Sequence, residues 1–289
     1  QNKSFIFIRN GVAAQTPVGQ HMKKPILHII TFFLMTIFMS AQECEYGEYY
    51  RIIDFAKKDY SKQNFKEANE KFKIAFSKTD FPLGHDLSFA LISAIKSKEI
   101  NWAGTIAENM AKGGIPLRYF GKYKKEKWYK KFSSEFENHS TFYKDSLNPV
   151  LKDKLLSLLE KDRDFNNKYH EWRTRETEMT LQELINGANE ILEEFIALTE
   201  AFGFPAERLM GYNYVRRLNR IEPFPIEALI VHIYQRGVLI FENEIPKIVC
   251  DGGLHPQWIE TLKKIRGFGN STGIEQEMKA RYKQFRGTE

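Results

Sequence analysis

The chain has 289 residues, of which 43 are Lys or Arg and 37 are Asp or Glu, so its formal net charge at pH 7 is +6. Residues 1–41 contain four of the basic residues and no acidic one, which leaves 39 basic against 37 acidic side chains in the remainder, a net charge of +2. This near balance gives no support for nucleic-acid binding through overall charge. Two cysteines 206 residues apart exclude a cysteine-based zinc knuckle.

The segment Met22–Ala41 has the three parts of a secretory signal peptide. Two lysines follow its methionine, an apolar run of 15 residues occupies 25–39, and a small-residue pair ends it. We predict cleavage before Gln42 and a periplasmic or extracellular protein without a stable membrane span. The alternative is a retained N-terminal anchor facing outside the cytoplasm, although a spanning helix needs roughly 20 apolar residues. Residues 1–21 are predicted not to be native.

Both cysteines, Cys44 and Cys250, lie beyond the predicted cleavage point. An oxidising compartment permits a disulfide between them, which would tie the start of the mature chain to its C-terminal part. The alternative is two free thiols, because the sequence does not fix the distance between the two side chains.

Apolar residues recur at three- and four-residue spacing between prolines and glycines, which predicts an all-α fold. The length beyond position 41 suits one large domain or two modest ones. We predict helical repeats over 42–132, a polar linker over 133–148, and an all-α domain over 149–289 that packs against the repeats.

The first hairpin, whose apolar stripes run from Ile52 to Ala75, resembles a tetratricopeptide repeat, and a second hairpin over 86–112 keeps a degraded form of the pattern. The resemblance implies paired helices that build a concave binding surface. We predict that a protein or cell-envelope partner binds around Tyr49, Tyr50 and Tyr60. The residues that fit the pattern are Ala56, Asn64-Phe65, Ala68, Phe72 and Ala75.

Lysines alternate with aromatic residues over 122–132. Such a segment can grip phosphates or stack bases, but we favour a solvated helix face whose aromatic side chains turn inward. Together with the predicted export, this argues against a nucleic-acid partner.

Two helix starts are marked in the second half. Asn148 precedes a proline, and Thr180 with Glu183 forms a capping box. The nearly apolar segment 225–237 is predicted to be the central helix of this half.

The sequence contains few chemical motifs. Residues 269–273 fit the G-x-S-x-G pattern, but no histidine follows them, so we interpret them as a glycine-rich turn. The histidines do not pair at metal-binding spacing, and no phosphate or dinucleotide fingerprint occurs. We therefore predict no metal and no cofactor.

His232 is the best single candidate for chemistry, because it lies within the apolar segment ALIVHIYQRG. An imidazole there can act as acid, base or ligand, with Tyr234 and Gln235 as further ligand-binding candidates. The alternative is a core histidine that is hydrogen-bonded to a neighbouring carbonyl.

The order of short motifs resembles an uncharacterised bacterial domain family that follows tetratricopeptide-like helices in exported proteins. The family has no established reaction, and His232 is the one polar residue to which the resemblance assigns a possible role. At the C-terminal end, only residues 284–288 are similar to the family's closing elements. Our leading hypothesis is an exported binding module, and the alternative is a small-ligand-binding or hydrolytic domain centred on His232. The matching motifs are Lys112-Gly113-Gly114 and Trp128, Gly203-Phe204-Pro205 and Gly211, Ile230-Val231-His232, and Gly252-Gly253-Leu254.

Overall fold

A computed structural model describes residues 44–266 and residue 280. This part of the chain is helical apart from one short two-stranded hairpin, which confirms the all-α prediction. None of its helices is both long and apolar enough to cross a membrane. The predicted signal peptide, the glycine-rich turn at 269–273 and the segment 284–288 lie outside the described residues.

The first half is built from helices, of which the first four pack in chain order, each against the next. Alanines at the contacts are fully buried, so the helix backbones approach closely. The elements are α1 (Glu45–Ser61), α2 (Phe65–Phe76), α3 (Gly84–Lys96), α4 (Ile100–Lys112), α5 (Leu117–Phe120), a 3-10 turn (Gly121–Tyr123) and α6 (Tyr129–Ser146).

Most of the predicted linker over 133–148 is helical. It belongs to α6, which packs on α4 and α5. Phe132 is buried in the first core, and Phe136 one turn later packs against it. None of the residues 133–148 is fully buried, and the helix is held on the first half mainly through Phe132, with Phe136 half-buried beside it.

The second half is built around two long helices, which begin directly after the predicted capping residues Asn148 and Thr180. The side chain of Asn148 accepts a hydrogen bond from Leu151 N at 2.9 Å, and Thr180 and Glu183 form a reciprocal capping box. The elements are α7 (Pro149–Thr174), α8 (Leu181–Phe202), α9 (Glu207–Met210), β1 (Tyr214–Val215), β2 (Arg220–Ile221), α10 (Ile226–Gln235), α11 (Ile245–Cys250) and α12 (Gln257–Arg266).

The described residues form two hydrophobic cores, one in each half, joined by a segment near Tyr212. Tyr212 belongs to the first core although α7 to α9 precede it in the chain. Its hydroxyl donates to Pro82 O at 2.9 Å, and its backbone N–H donates to Gly113 O at 2.8 Å. A Cβ at Gly113 would collide with the Tyr212 ring, so this close contact requires glycine.

A disulfide joins the two halves a second time. Cys44 and Cys250, which the sequence left as either paired or free, are bonded with a Cα–Cα distance of 4.5 Å. The bond attaches the start of α1 to the end of α11, and these two helices also pack against each other. The bond therefore holds the end of α11 against the start of α1.

Candidate functional site

His232 lies in the last turns of α10, where this helix packs on α7. Its Nδ1 is 2.6 Å from Oδ2 of Asp162, a carboxylate whose side chain is only 5% exposed. The imidazole itself is 29% exposed, and its Nε2 makes no hydrogen bond to the described residues. The structure thus pairs His232 with a side chain, not with the backbone carbonyl of the alternative interpretation.

Asn166 and Arg236 complete the site, one helical turn beyond Asp162 and His232 respectively. Residues four apart lie on the same helix face, so each helix presents two polar side chains to the other. Arg236 Nη2 donates to Asn166 Oδ1 at 2.9 Å and lies 3.4 Å from Asp162 Oδ1. The guanidinium also stacks over Phe165, 4.5 Å from the ring centre.

The guanidinium of Arg236 is largely buried. Burial lowers the pKa of Arg236, and the charge of Asp162 opposes this shift. Its Nη1 is buried and has no hydrogen-bond partner within the part of the chain that the structure describes. A buried donor without a partner is costly unless a water or a ligand oxygen satisfies it.

The hydrogen bonds decide which ring nitrogen of His232 carries the proton. Asn166 Nδ2 donates to Asp162 O at 2.7 Å, while its Oδ1 accepts from Arg236, so the orientation of the amide is fixed. Asn166 Nδ2 also lies 2.8 Å from His232 Nδ1. Nδ1 therefore lies between an amide donor at 2.8 Å and a carboxylate oxygen at 2.6 Å; because the carboxylate is the nearer and the stronger partner, we assign the proton to Nδ1 and the lone pair to Nε2.

The two neighbours of His232 that were predicted to bind a ligand do not join this site. Tyr234 is buried on another face of α10, and its hydroxyl donates to Ile240 O at 2.6 Å. Gln235 is exposed to solvent. Consecutive helix positions point in different directions, so proximity in sequence did not bring these side chains together.

The predicted partner-binding tyrosines are mostly buried, which corrects the expectation of an exposed aromatic groove. Tyr49 is 0% exposed and Tyr50 is 5% exposed, and burial raises the pKa of both. Tyr60 is half-buried against Phe65 and Phe89. The physical reason is that α1 is covered by α2, α3 and α11, so its tyrosine face contributes to the core.

The lysine-rich segment 122–132 has the arrangement that we favoured. Its six lysines are exposed, whereas Trp128 and Phe132 are buried. The rings of Trp128 and Phe132 pack on each other and are not available to stack on bases, and Tyr123 and Tyr129 are half-buried. The segment is therefore a solvated face of the first half.

Metal-ligating side chains gather at one place in the described residues, although the sequence predicted no metal. The potential ligand atoms of Glu108, Glu135 and His139 lie within 4.8 Å of one another. Glu135 and His139 are one turn apart on α6, and Glu108 comes from α4. A histidine with two carboxylates is a donor set that suits Zn²⁺.

Asp162 was missed by the sequence analysis, yet it left a signal. Leu151, Leu155 and Leu158 are buried at three- and four-residue spacing, and this stripe continues through Asp162 to Phe165. A carboxylate at a core position of an amphipathic helix requires a buried partner. The identity of that partner, 70 residues away, was not readable from spacing.

Comparisons with protein-family models, with curated proteins and with solved structures find no match for this chain. The interpretation of the site therefore depends on its geometry.

Proposed function

We propose that the protein is a hydrolase in which His232 acts as a general base. The observation that carries this proposal is the 2.6 Å contact between His232 Nδ1 and the buried carboxylate of Asp162. A carboxylate on one ring nitrogen fixes the tautomer and stabilises the imidazolium that forms when the other nitrogen accepts a proton.

The chemistry follows from the two ends of the imidazole. Nε2 takes a proton from a water, and the resulting hydroxide attacks the acyl carbon of an ester. The tetrahedral intermediate then breaks its C–O bond to the leaving group, which departs as an alcohol with the proton that Nε2 returns. The charge that develops on His232 is balanced by Asp162.

The earlier partner-binding hypothesis loses its main support because Tyr49 and Tyr50 are buried. Export remains part of the proposal. The Cys44–Cys250 disulfide supports it, since such bonds persist in oxidising compartments.

The test is hydrolysis of p-nitrophenyl acetate by the purified protein. We expect His232→Gln to lower the rate about 100-fold, the lower end of the range for general-base catalysis, and Asp162→Asn to lower it less. The matched control is His170→Gln, because His170 is an exposed imidazole on α7 that reports background reactivity. Equal rates for wild type, His232→Gln and His170→Gln would contradict the proposal.

A further inference from the structure

A cleft of about 140 Å³ lies where the two hydrophobic cores meet, away from the His232 site. Five segments that are distant in sequence form its walls, and they come from both halves of the protein. They include α1, the start of α3, the turn before α9, the start of α10 and the turn after α11. The titratable side chains that line the cleft include Lys57, His85, Asp86, Glu207, Glu227 and His255.

Three of these side chains are carboxyl groups in buried surroundings. Asp86 accepts from the Tyr49 hydroxyl at 2.8 Å and forms an ion pair with Lys57 at 2.6 Å. Glu207 is 9% exposed, and its Oε2 accepts from Gly84 N at 2.7 Å. Burial raises the pKa of Glu207 to about 8, and the charge of Asp86 adds to the shift; burial also raises the pKa of Glu227.

The cleft contains little positive charge to balance these groups. Burial lowers the pKa of His85 and of His255, which disfavours a positive charge on either ring. Among the described residues that line the cleft, Lys57 alone carries a positive charge there, and it is engaged by Asp86. A cation that enters the cleft would therefore lie near two further carboxyl groups, those of Glu207 and Glu227.

The remaining walls are apolar and include two aromatic side chains. Tyr50 and Phe224 border the cleft together with Leu83, Pro205 and Ile226. Aromatic faces attract ammonium groups, and apolar walls accommodate a short hydrocarbon body. A cavity of this size holds a molecule about as large as benzene.

We propose that this cleft is a binding site for a small organic cation, an ammonium group on an apolar body of about four to six carbon atoms. The ammonium group lies among Glu207, Glu227 and Asp86, and the hydrocarbon lies against the apolar wall. This inference does not depend on the chemistry of His232.

Binding is expected to release a proton, because the cation favours the ionised form of Glu207. With a pKa of about 8, Glu207 is mostly protonated at pH 7, so the linkage predicts release of most of a proton per ligand at pH 7, less release at pH 9, and an affinity that rises from pH 6 to pH 8. The charged and titratable groups that face Glu207 from the surrounding elements are Lys57, His85, Asp86, Lys152, Glu227 and His255.

The wall formed by 252–255 is held in place before any ligand arrives. Gly252 has a φ of +75°, and a Cβ there would collide with the Tyr46 ring. The turn follows directly after Cys250, which is bonded to Cys44. A site whose walls are fixed in this way loses little conformational entropy on binding.

The experiment is isothermal titration calorimetry with three probes of equal size, n-butylammonium, n-butanol and butyrate, in two buffers of different ionisation enthalpy. We expect the ammonium to bind at least ten times more tightly than the alcohol, with the proton release given above. Glu207→Gln should weaken ammonium binding at least tenfold and abolish most of the proton release.

The matched control is Glu193→Gln, an exposed carboxylate on α8 that should leave binding unchanged. Far-ultraviolet circular dichroism establishes that each variant is folded, and the wild-type proton release tests the proposal without any variant. Equal affinity for ammonium and alcohol, preference for butyrate, absence of binding at 10 mM, or ammonium binding without proton release would each overturn it.

Discussion

Replacing Glu207 by glutamine is expected to stabilise the protein at neutral and alkaline pH. The carboxyl group is buried beside Gly84 N, and burial raises its pKa from 4.5 to about 8. Between these two values the unfolded chain loses a proton that the folded protein keeps, so the free energy of unfolding falls as the pH rises. An amide removes this penalty, and its oxygen still accepts from the Gly84 amide.

The magnitude follows from the size of the shift. Each pKa unit corresponds to about 1.36 kcal/mol, and pH 7 lies 2.5 units above the unfolded pKa of 4.5, so Glu207→Gln should gain about 3 kcal/mol at pH 7. The gain should vanish near pH 4 and level off above pH 8. It is largest in this plateau because both states of the wild type are then ionised.

Urea unfolding of wild type and Glu207→Gln, measured from pH 4 to pH 9, tests this reasoning. The difference in unfolding free energy should grow with pH, and the same difference for Glu193→Gln should stay flat. A Glu207 variant that is destabilised by a constant amount at every pH would refute a protonated, buried carboxyl at this position.

Three further variants test the packing and the links between the two halves. Cys250→Ser should lower the free energy of unfolding by about 2–5 kcal/mol in urea titrations, and added reductant should remove the difference from wild type. Asp162→Ala should lower the free energy of unfolding by about 3–5 kcal/mol because it removes the carboxylate that pairs with the buried guanidinium of Arg236. A decrease of less than about 1 kcal/mol would argue against that ion pair. Gly113→Ala should lower the free energy of unfolding by more than about 1 kcal/mol, because the new Cβ collides with the Tyr212 ring. Gly121→Ala is the control in the same thermal unfolding measurement, since its Cβ would meet nothing within 4 Å.

Local signals in the sequence predicted much of the fold. The caps at Asn148 and Thr180 lie where the helices begin, because capping depends on residues three apart. The three- and four-residue spacing of apolar residues predicted an all-α protein, because it too is a local signal, the period of the helix. The segment 133–148 is polar, and none of its residues is fully buried in the structure, so no buried stripe in the sequence marked it as part of α6.

The candidate site was less predictable, since it depends on which surfaces meet. His232 was recognisable because a polar residue interrupts an apolar helix, but Asp162 becomes its partner only when α7 and α10 pack together. Tyr49 and Tyr50 were wrongly predicted to be exposed, because nothing in their spacing indicates that α2, α3 and α11 cover α1. The cleft at Glu207 likewise combines five distant segments that no motif connects.

The protonation state of the His232 ring tests the central claim most directly. A long-range ¹H–¹⁵N correlation spectrum of histidine-labelled protein distinguishes a proton on Nδ1 from one on Nε2. The Asp162 contact predicts the Nδ1–H form in wild type and its loss in Asp162→Asn. A proton on Nε2 in the wild-type protein would mean that Nδ1 accepts from Asn166, and the proposed general base would have no lone pair facing solvent.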